Sequence, residues 1–185
     1  MPMRVIGGLY RHRKLVYPEN NPDIRPTKDR IREAFFSIAG DITDKVFLDL
    51  YAGCGSIGIE AISRGARLSV FVDHSESALK YVKENIKTLG LESNSEIMLS
   101  SDLGALKLLA DKGYQFDIIY LDPPYEKGKY EDILSFIYNN NLLKEDGLIA
   151  CEANRKIEVN PLCCHRIKEY HYGEISLTTL KGVNR

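Results

Sequence analysis

No stretch of this 185-residue chain approaches the length of apolar sequence that spans a bilayer, about 20 residues. The N-terminus lacks the apolar core of a signal peptide. Cysteine is scarce: Cys54, Cys151, Cys163 and Cys164 show no C-x-x-C spacing, and the adjacent Cys163 and Cys164 are poor partners for one another. A reduced cytoplasmic protein is therefore expected. Cys163-Cys164-His165, with His171 nearby, lacks the second spaced pair of a zinc site, so no metal is expected either. Internal repeats and low-complexity tracts are missing as well. What remains is enough apolar residue, 44% of the chain, for one domain with a real core.

Net charge is also nearly absent, at −1, but it is unevenly spread. Met1 to Arg32 holds eight Lys/Arg (Arg4, Arg11, Arg13, Lys14, Arg25, Lys28, Arg30, Arg32) against Glu19, Asp23 and Asp29, a net of +5. The rest carries 17 basic and 23 acidic residues, a net of −6. A basic arm on an acidic body suits a polyanion, although charge alone fits a solvated face equally well.

Arg4-Val5-Ile6, Gly7-Gly8 and Leu15-Val16-Tyr17 predict a small hairpin with Arg11, His12, Arg13 and Lys14 near its tip. Asn20 to Pro26 reads as a linker. Thr27 is the expected N-cap of a helix that buries Ile31, Ala34, Phe35 and Ile38, shows Lys28, Arg30 and Arg32 on its other face, and stops at Gly40. The expected organisation is a basic hairpin and linker over 1–26 and a main domain over 27–185. The main domain, starting its core near Val46, is expected to fold without the first ~20 residues.

Val46 to Gly65 is the pivot. Val46-Phe47-Leu48 predicts a buried strand ending in Asp49; Ala52-Gly53-Cys54-Gly55-Ser56 is a glycine turn, and Ile57 to Ile62 is apolar at helical spacing. Gly53, Gly55 and Gly58 fit G-x-G-x-x-G, which allows close backbone approach to a nucleotide-type ligand. Strands follow at Leu68–Val72, Glu96–Leu99, Phe116–Leu121 and Leu148–Glu152, separated by helices at Ser75–Gly90, Leu103–Ala110 and Tyr130–Tyr138. Arg166–Tyr172 and Ile175–Leu180 read as an antiparallel hairpin. The fold expected is α/β: a mostly parallel seven-stranded sheet with a C-terminal antiparallel hairpin, plus the N-terminal basic hairpin.

In such sheets ligands bind beyond the carboxyl ends of the strands, where Asp49, Asp73, Asp102 and Asp122 stand. Asp73 is spaced from the glycine turn to accept from ribose hydroxyls. Asp49 suits an amino-bearing group, and Asp102 an exocyclic amine such as adenine's. Asp122-Pro123-Pro124-Tyr125 is the most specific segment. Its prolines fix the backbone and remove two N–H donors, so a carboxylate and a carbonyl together can hold an NH2 group while Tyr125 offers a stacking surface.

Leu48-Asp49-Leu50-Tyr51-Ala52-Gly53-Cys54-Gly55-Ser56-Ile57-Gly58, Glu60-Ala61 and Ser63-Arg64-Gly65-Ala66 resemble the RsmD-type bacterial 16S rRNA guanine-N2 methyltransferases. So do Arg4-Val5-Ile6-Gly7-Gly8, Arg25-Pro26-Thr27, Asp29-Arg30 and Arg32-Glu33, the likeness running from about Arg4 to Gly182. Asp122-Pro123-Pro124-Tyr125 after a glycine-rich first turn resembles more broadly the amino-methyltransferases that use S-adenosylmethionine on nucleic-acid amines. The resemblance implies a Rossmann-like methyltransferase fold and S-adenosyl-L-methionine as cofactor. It implies methylation of the small-subunit guanine conventionally numbered 966, in a protein-bound assembly intermediate, by a monomer. Cofactor contacts are then expected from Asp49, Tyr51, Ala52, Gly53, Cys54, Gly55, Gly58, Asp73, His74, Ser101 and Asp102. Asp122, Pro123, Pro124 and Tyr125 would be catalytic, and Arg4, Arg11, Arg13, Lys14, Arg25, Thr27, Arg30 and Arg32 would meet RNA. An NAD-dependent oxidoreductase would share the glycine turn and Asp73, yet leave the Asp-Pro-Pro-Tyr segment and the basic arm without a purpose. A DNA adenine-N6 methyltransferase would share the tetrapeptide but needs a recognition domain that the chain is too short to hold. A non-catalytic RNA-binding module would leave the four strand-end acids idle.

Overall fold

The computed structural model describes residues 3–19, 27–124, 129–154, 156, 157, 159 and 164–182, the last span with side chains over 168–181. Helix α1 (Asp29–Ala39) leads into an alternating series: β1 (Val46–Asp49), α2 (Ser56–Ser63), β2 (Leu68–Asp73), α3 (Glu76–Leu89), β3 (Ser95–Leu99), α4 (Asp102–Asp111), β4 (Phe116–Leu121), α5 (Lys129–Asn139) and β5 (Leu143–Ala153). β6 (Cys164–Tyr172) and β7 (Ile175–Gly182) close the chain. All seven strands form one sheet in the order β3-β2-β1-β4-β5-β7-β6, parallel through β5. β7 runs antiparallel between β5 and β6. Its Leu177, Thr178, Thr179 and Leu180 are all buried, which suits an interior strand. β6, with Lys168 and Glu169, takes the edge, where charge discourages further pairing.

Strand residues alternate between two apolar layers, as the period of two requires. Leu48, Val70, Val72, Ile119, Leu121 and Ile149 face Leu106, Ile133, Leu134 and Ile137 of α4 and α5. Phe47, Ile118, Tyr120 and Ala150 face Phe35, Phe36 and Ile57 of α1 and α2 on the other side. α2 is buried at every position because the sheet covers one side and the N-terminal segment the other. Helix ends follow the sequence: Ser75 Oγ accepts from Ala78 N, and Gly90 ends α3 at φ 68°.

The N-terminal hairpin is present as an antiparallel bridge between Arg4 and Lys14, with Val5 N donating to Arg13 O at 2.9 Å and Leu15 N to Met3 O at 2.9 Å. It does not hang free. Met3, Val5 and Leu15 are buried among Ile59, Phe71, Leu79 and Val82. The Glu60 carboxylate accepts from Ile6 N (2.8 Å) and Gly7 N (2.7 Å), and the Asn85 side chain exchanges two hydrogen bonds with Val16. This packing argues against the first ~20 residues being dispensable for folding, because the segment fills core space that the strands alone leave open. The linker Asn20–Pro26, Arg25 included, lies outside the described residues.

Candidate active site

Strand order reverses between β1 and β4, which opens a crevice at their carboxyl ends. The glycine turn enters that crevice. Gly53 (φ 54°) and Gly55 (φ 85°) adopt backbone conformations that glycine tolerates best. The Asp73 carboxylate braces the turn, accepting from Gly53 N at 2.8 Å and from Ser75 N at 2.9 Å. Gly58 departs from the expected ligand approach. A Cβ there would lie 2.3 Å from Phe71 Cε1 and 2.7 Å from Ser69 Oγ, so this glycine lets α2 pack tightly on β2. Its amide donates to Asp49 Oδ2 at 3.0 Å. Burial pushes the Asp49 carboxyl up to about 7, partly offset by that hydrogen bond.

Two hollows meet at Tyr51. One is lined by Thr27, Asp49, Ala52, Gly53, Cys54, Ser56, Ile57, Tyr120 and Asp122. With two carboxyls and no basic residue among these, it suits a cationic group. The other, of about 270 Å³, is lined by Leu50, His74, Ser100, Ser101, Asp102, Pro124 and Lys129. Its mixture of apolar surface and a polar rim suits a flat heterocycle. Ser101 caps α4, its Oγ accepting from Gly104 N. Asp102 Oδ2 accepts from the Tyr51 hydroxyl at 2.8 Å and pairs with Lys129 Nζ at 2.9 Å. Its carboxyl stays below the usual range, since those donors and Leu103 N outweigh its desolvation. His74 is mostly exposed, with Nδ1 3.5 Å from Asp73 Oδ1. Cys54 is buried and its thiol is raised to about 11 by burial; its Sγ packs 3.9 Å from Met3 Sδ.

Asp122 follows β4 directly, with Pro123 buried and Pro124 exposed after it. Tyr125 lies outside the described residues. Burial, Glu152 and Asp49 push the Asp122 carboxyl well above its ordinary range. Glu152, near the end of β5, is absent from the expected site. It is 5% exposed and its Oε2 accepts from the Tyr120 hydroxyl at 2.5 Å. An acid at the end of the apolar run Leu148-Ile149-Ala150-Cys151 is the signal that would have marked it.

The expected RNA set divides. Arg4, Arg11, Arg13 and Lys14 are exposed, and exposed Arg30 lies 5.6 Å over the Tyr172 ring. Arg32 does not stand on the outer face. It is fully buried, its Nη2 donating to Arg4 O (2.8 Å) and Asp29 Oδ1 (2.7 Å), with Nη1 3.9 Å from Glu60 Oε2. Burial of Glu60 beneath the hairpin demands a neighbouring cation, and Arg32 and Arg64 supply it. Thr27 is likewise not the N-cap: Lys28 holds that position without a side-chain cap bond, and Thr27 lines the acidic hollow instead.

YlbH of Bacillus subtilis is 38% identical over 158 residues, which cover 85% of each chain. Ribosomal RNA small subunit methyltransferase D of Escherichia coli K12 is 35% identical over 152 residues, covering 82% of this chain and 74% of that one. The solved structure of yhhF from Escherichia coli superposes over 100% of both chains with a TM-score of 0.85 and 30% identity. With residues 3–181 matched by the family model described as Conserved hypothetical protein 95, the chain belongs to that family, the one whose RsmD-type members its motifs resemble.

Proposed function

We propose that the protein uses S-adenosyl-L-methionine to methylate the exocyclic N2 amine of a guanine in 16S rRNA, the position conventionally numbered 966, acting as a monomer on a small-subunit assembly intermediate. The observation that carries this reading is the placement of Asp122 beside the glycine turn, in one acidic hollow with Asp49 and Tyr51, with Pro124 lining the neighbouring hollow. The relative from Escherichia coli, named for ribosomal RNA of the small subunit, supports the substrate class.

The residues present fit the cofactor. Asp49 would meet its amino group, Gly53 and Gly55 would give it backbone clearance, and Asp73 keeps acceptor capacity for ribose hydroxyls beyond the two amides it holds. Tyr51, His74, Ser101 and Asp102, which line the larger hollow, would border the adenine. When bound, the cofactor supplies an electrophilic methyl group on a sulfonium centre. Asp122 and the Pro123 carbonyl accept both N–H bonds of the amine, which turns the nitrogen lone pair, otherwise delocalised into the ring, toward the methyl. Alignment is the main catalytic effect, and the Asp122 carboxyl and Tyr125 ring face stabilise positive charge growing on nitrogen. Base flipping brings the guanine into the hollow, and the exposed Arg11, Arg13 and Lys14 hold flanking phosphates.

The test is methyl incorporation from labelled cofactor into small-subunit particles and naked 16S rRNA, followed by nucleoside mass spectrometry. N2-methylguanosine at one position, formed faster in particles, is expected. Methyl label on adenine, or none on RNA, would overturn the reading.

A further inference from the structure

Tyr120 pairs with Ala150 and Leu121 with Cys151 in parallel register across β4 and β5. The next positions, Asp122 and Glu152, are therefore neighbours on the sheet face that carries Tyr120. Glu152 is fixed twice: its carboxylate accepts from the Tyr120 hydroxyl at 2.5 Å, and its backbone carbonyl accepts from the Tyr130 hydroxyl. Tyr120 is itself held edge-on to Phe35 with ring centroids 4.8 Å apart. Among the described residues, the groups facing the two acids are Asp49 from β1, Tyr120 from β4, Tyr130 from α5 and Lys28 ahead of α1. β7 places Leu177 opposite Glu152. Nothing here resembles an ordinary surface ion pair. Two neighbouring carboxyls in a desolvated site do not both ionise readily. Tyr120 and Lys28 favour negative charge on Glu152, while Glu152 and Asp49 disfavour it on Asp122.

We propose that Glu152, clamped by Tyr120 and Tyr130, is a positioning residue for Asp122, and that the two carboxyls form a pair that shares one proton at rest and takes up a second during methyl transfer. The inference rests on the methyl-transfer reading above. As the bond from nitrogen to the methyl carbon forms, the carbon–sulfur bond breaks and its electron pair stays on sulfur. One N–H proton of the amine passes to Asp122 as the shared proton moves from Asp122 to Glu152, leaving a neutral pair and a neutral methylamine, and the pair later returns its extra proton to water. Glu152 acts through Asp122 and does not touch the amine.

Carbon-13 NMR of the side-chain carboxyls in cofactor-free protein tests the pair without any turnover. Asp122 is expected to titrate in two steps mirrored at Glu152, and in Glu152→Gln to titrate once, at a pH between those two steps. Single-turnover rates on small-subunit particles supply the second arm. Glu152→Gln should move the acid limb of the rate profile to higher pH, onto the single Asp122 titration, and reduce the plateau about tenfold. Its S-adenosylhomocysteine affinity should stay within about twofold. Tyr120→Phe should move the limb the same way by less, because without the Tyr120 donor Glu152 takes up the second proton more readily. An isolated single titration of Asp122 in the unmodified protein, or an unmoved limb in Glu152→Gln, would overturn the pair. Loss of S-adenosylhomocysteine binding together with rate would overturn it too, as the mark of a merely structural residue. A coupled titration in a protein that methylates no rRNA would refute the methyl-transfer reading and leave the pair standing.

Discussion

Replacing Asp49 with asparagine isolates the energetic consequence of burying a carboxyl beneath the glycine turn. Asp49 is 2% exposed and receives one hydrogen bond, from Gly58 N. Its carboxyl rises from 3.8 to about 7, with burial as the largest cause. An acid whose folded-state value lies above its unfolded one binds protons more tightly when folded, so stability falls as pH rises between the two values. At about 1.4 kcal/mol per pH unit, complete ionisation removes about 4 kcal/mol. The asparagine side chain would keep the acceptor for Gly58 N and carry no charge. Urea unfolding from pH 4 to pH 8 should show Asp49→Asn gaining about 4 kcal/mol relative to the unmodified protein across that window. The comparison largely cancels the background from Asp122 and Glu152, whose carboxyls burial also pushes up. A ligand bringing an ammonium to Asp49 should expel its proton. The S-adenosylmethionine binding enthalpy at pH 6 should therefore depend on the ionisation enthalpy of the buffer, and much less so in Asp49→Asn. Parallel stability curves for the two proteins would refute the reasoning.

Arg32→Ala should destabilise the fold by about 3–5 kcal/mol, the cost of stranding a buried charge, seen as a lower urea midpoint and not as a change in RNA salt dependence. Asp122→Ala should abolish methyl transfer in a filter assay while S-adenosylhomocysteine affinity by calorimetry changes less than about threefold. Neutralising Arg11, Arg13 and Lys14 one at a time should flatten the log–log salt slope of RNA binding by about 0.7–0.9 for each phosphate no longer neutralised; an unchanged slope would make the hairpin tip a solvated face. Deleting residues 1–17 removes the buried Met3, Val5 and Leu15, each worth about 1.5–3 kcal/mol, and should leave a chain that fails to unfold cooperatively on heating.

The order of strands and helices was legible in the sequence because burial imposes a period: Val46 to Leu48 and Phe116 to Leu121 are too apolar for anything but central strands, and Ser75 and Gly90 punctuate a helix by backbone chemistry that acts within a few residues. The acids at the strand ends were legible for the same local reason, since a carboxylate placed directly after an apolar strand must emerge at its carboxyl end. Tertiary structure alone decided what each charge faces. Arg32 reads as one more basic residue on a helix face until Glu60, 28 positions later in the chain, is found buried under the hairpin and in need of a cation. Gly58 reads as a ligand-facing glycine until Phe71 occupies the space where its Cβ would be. Glu152 is legible as one more strand-end acid, but its pairing with Tyr120 and Asp122 is not, because a hydrogen bond between strands depends on register, which spacing along one chain does not encode.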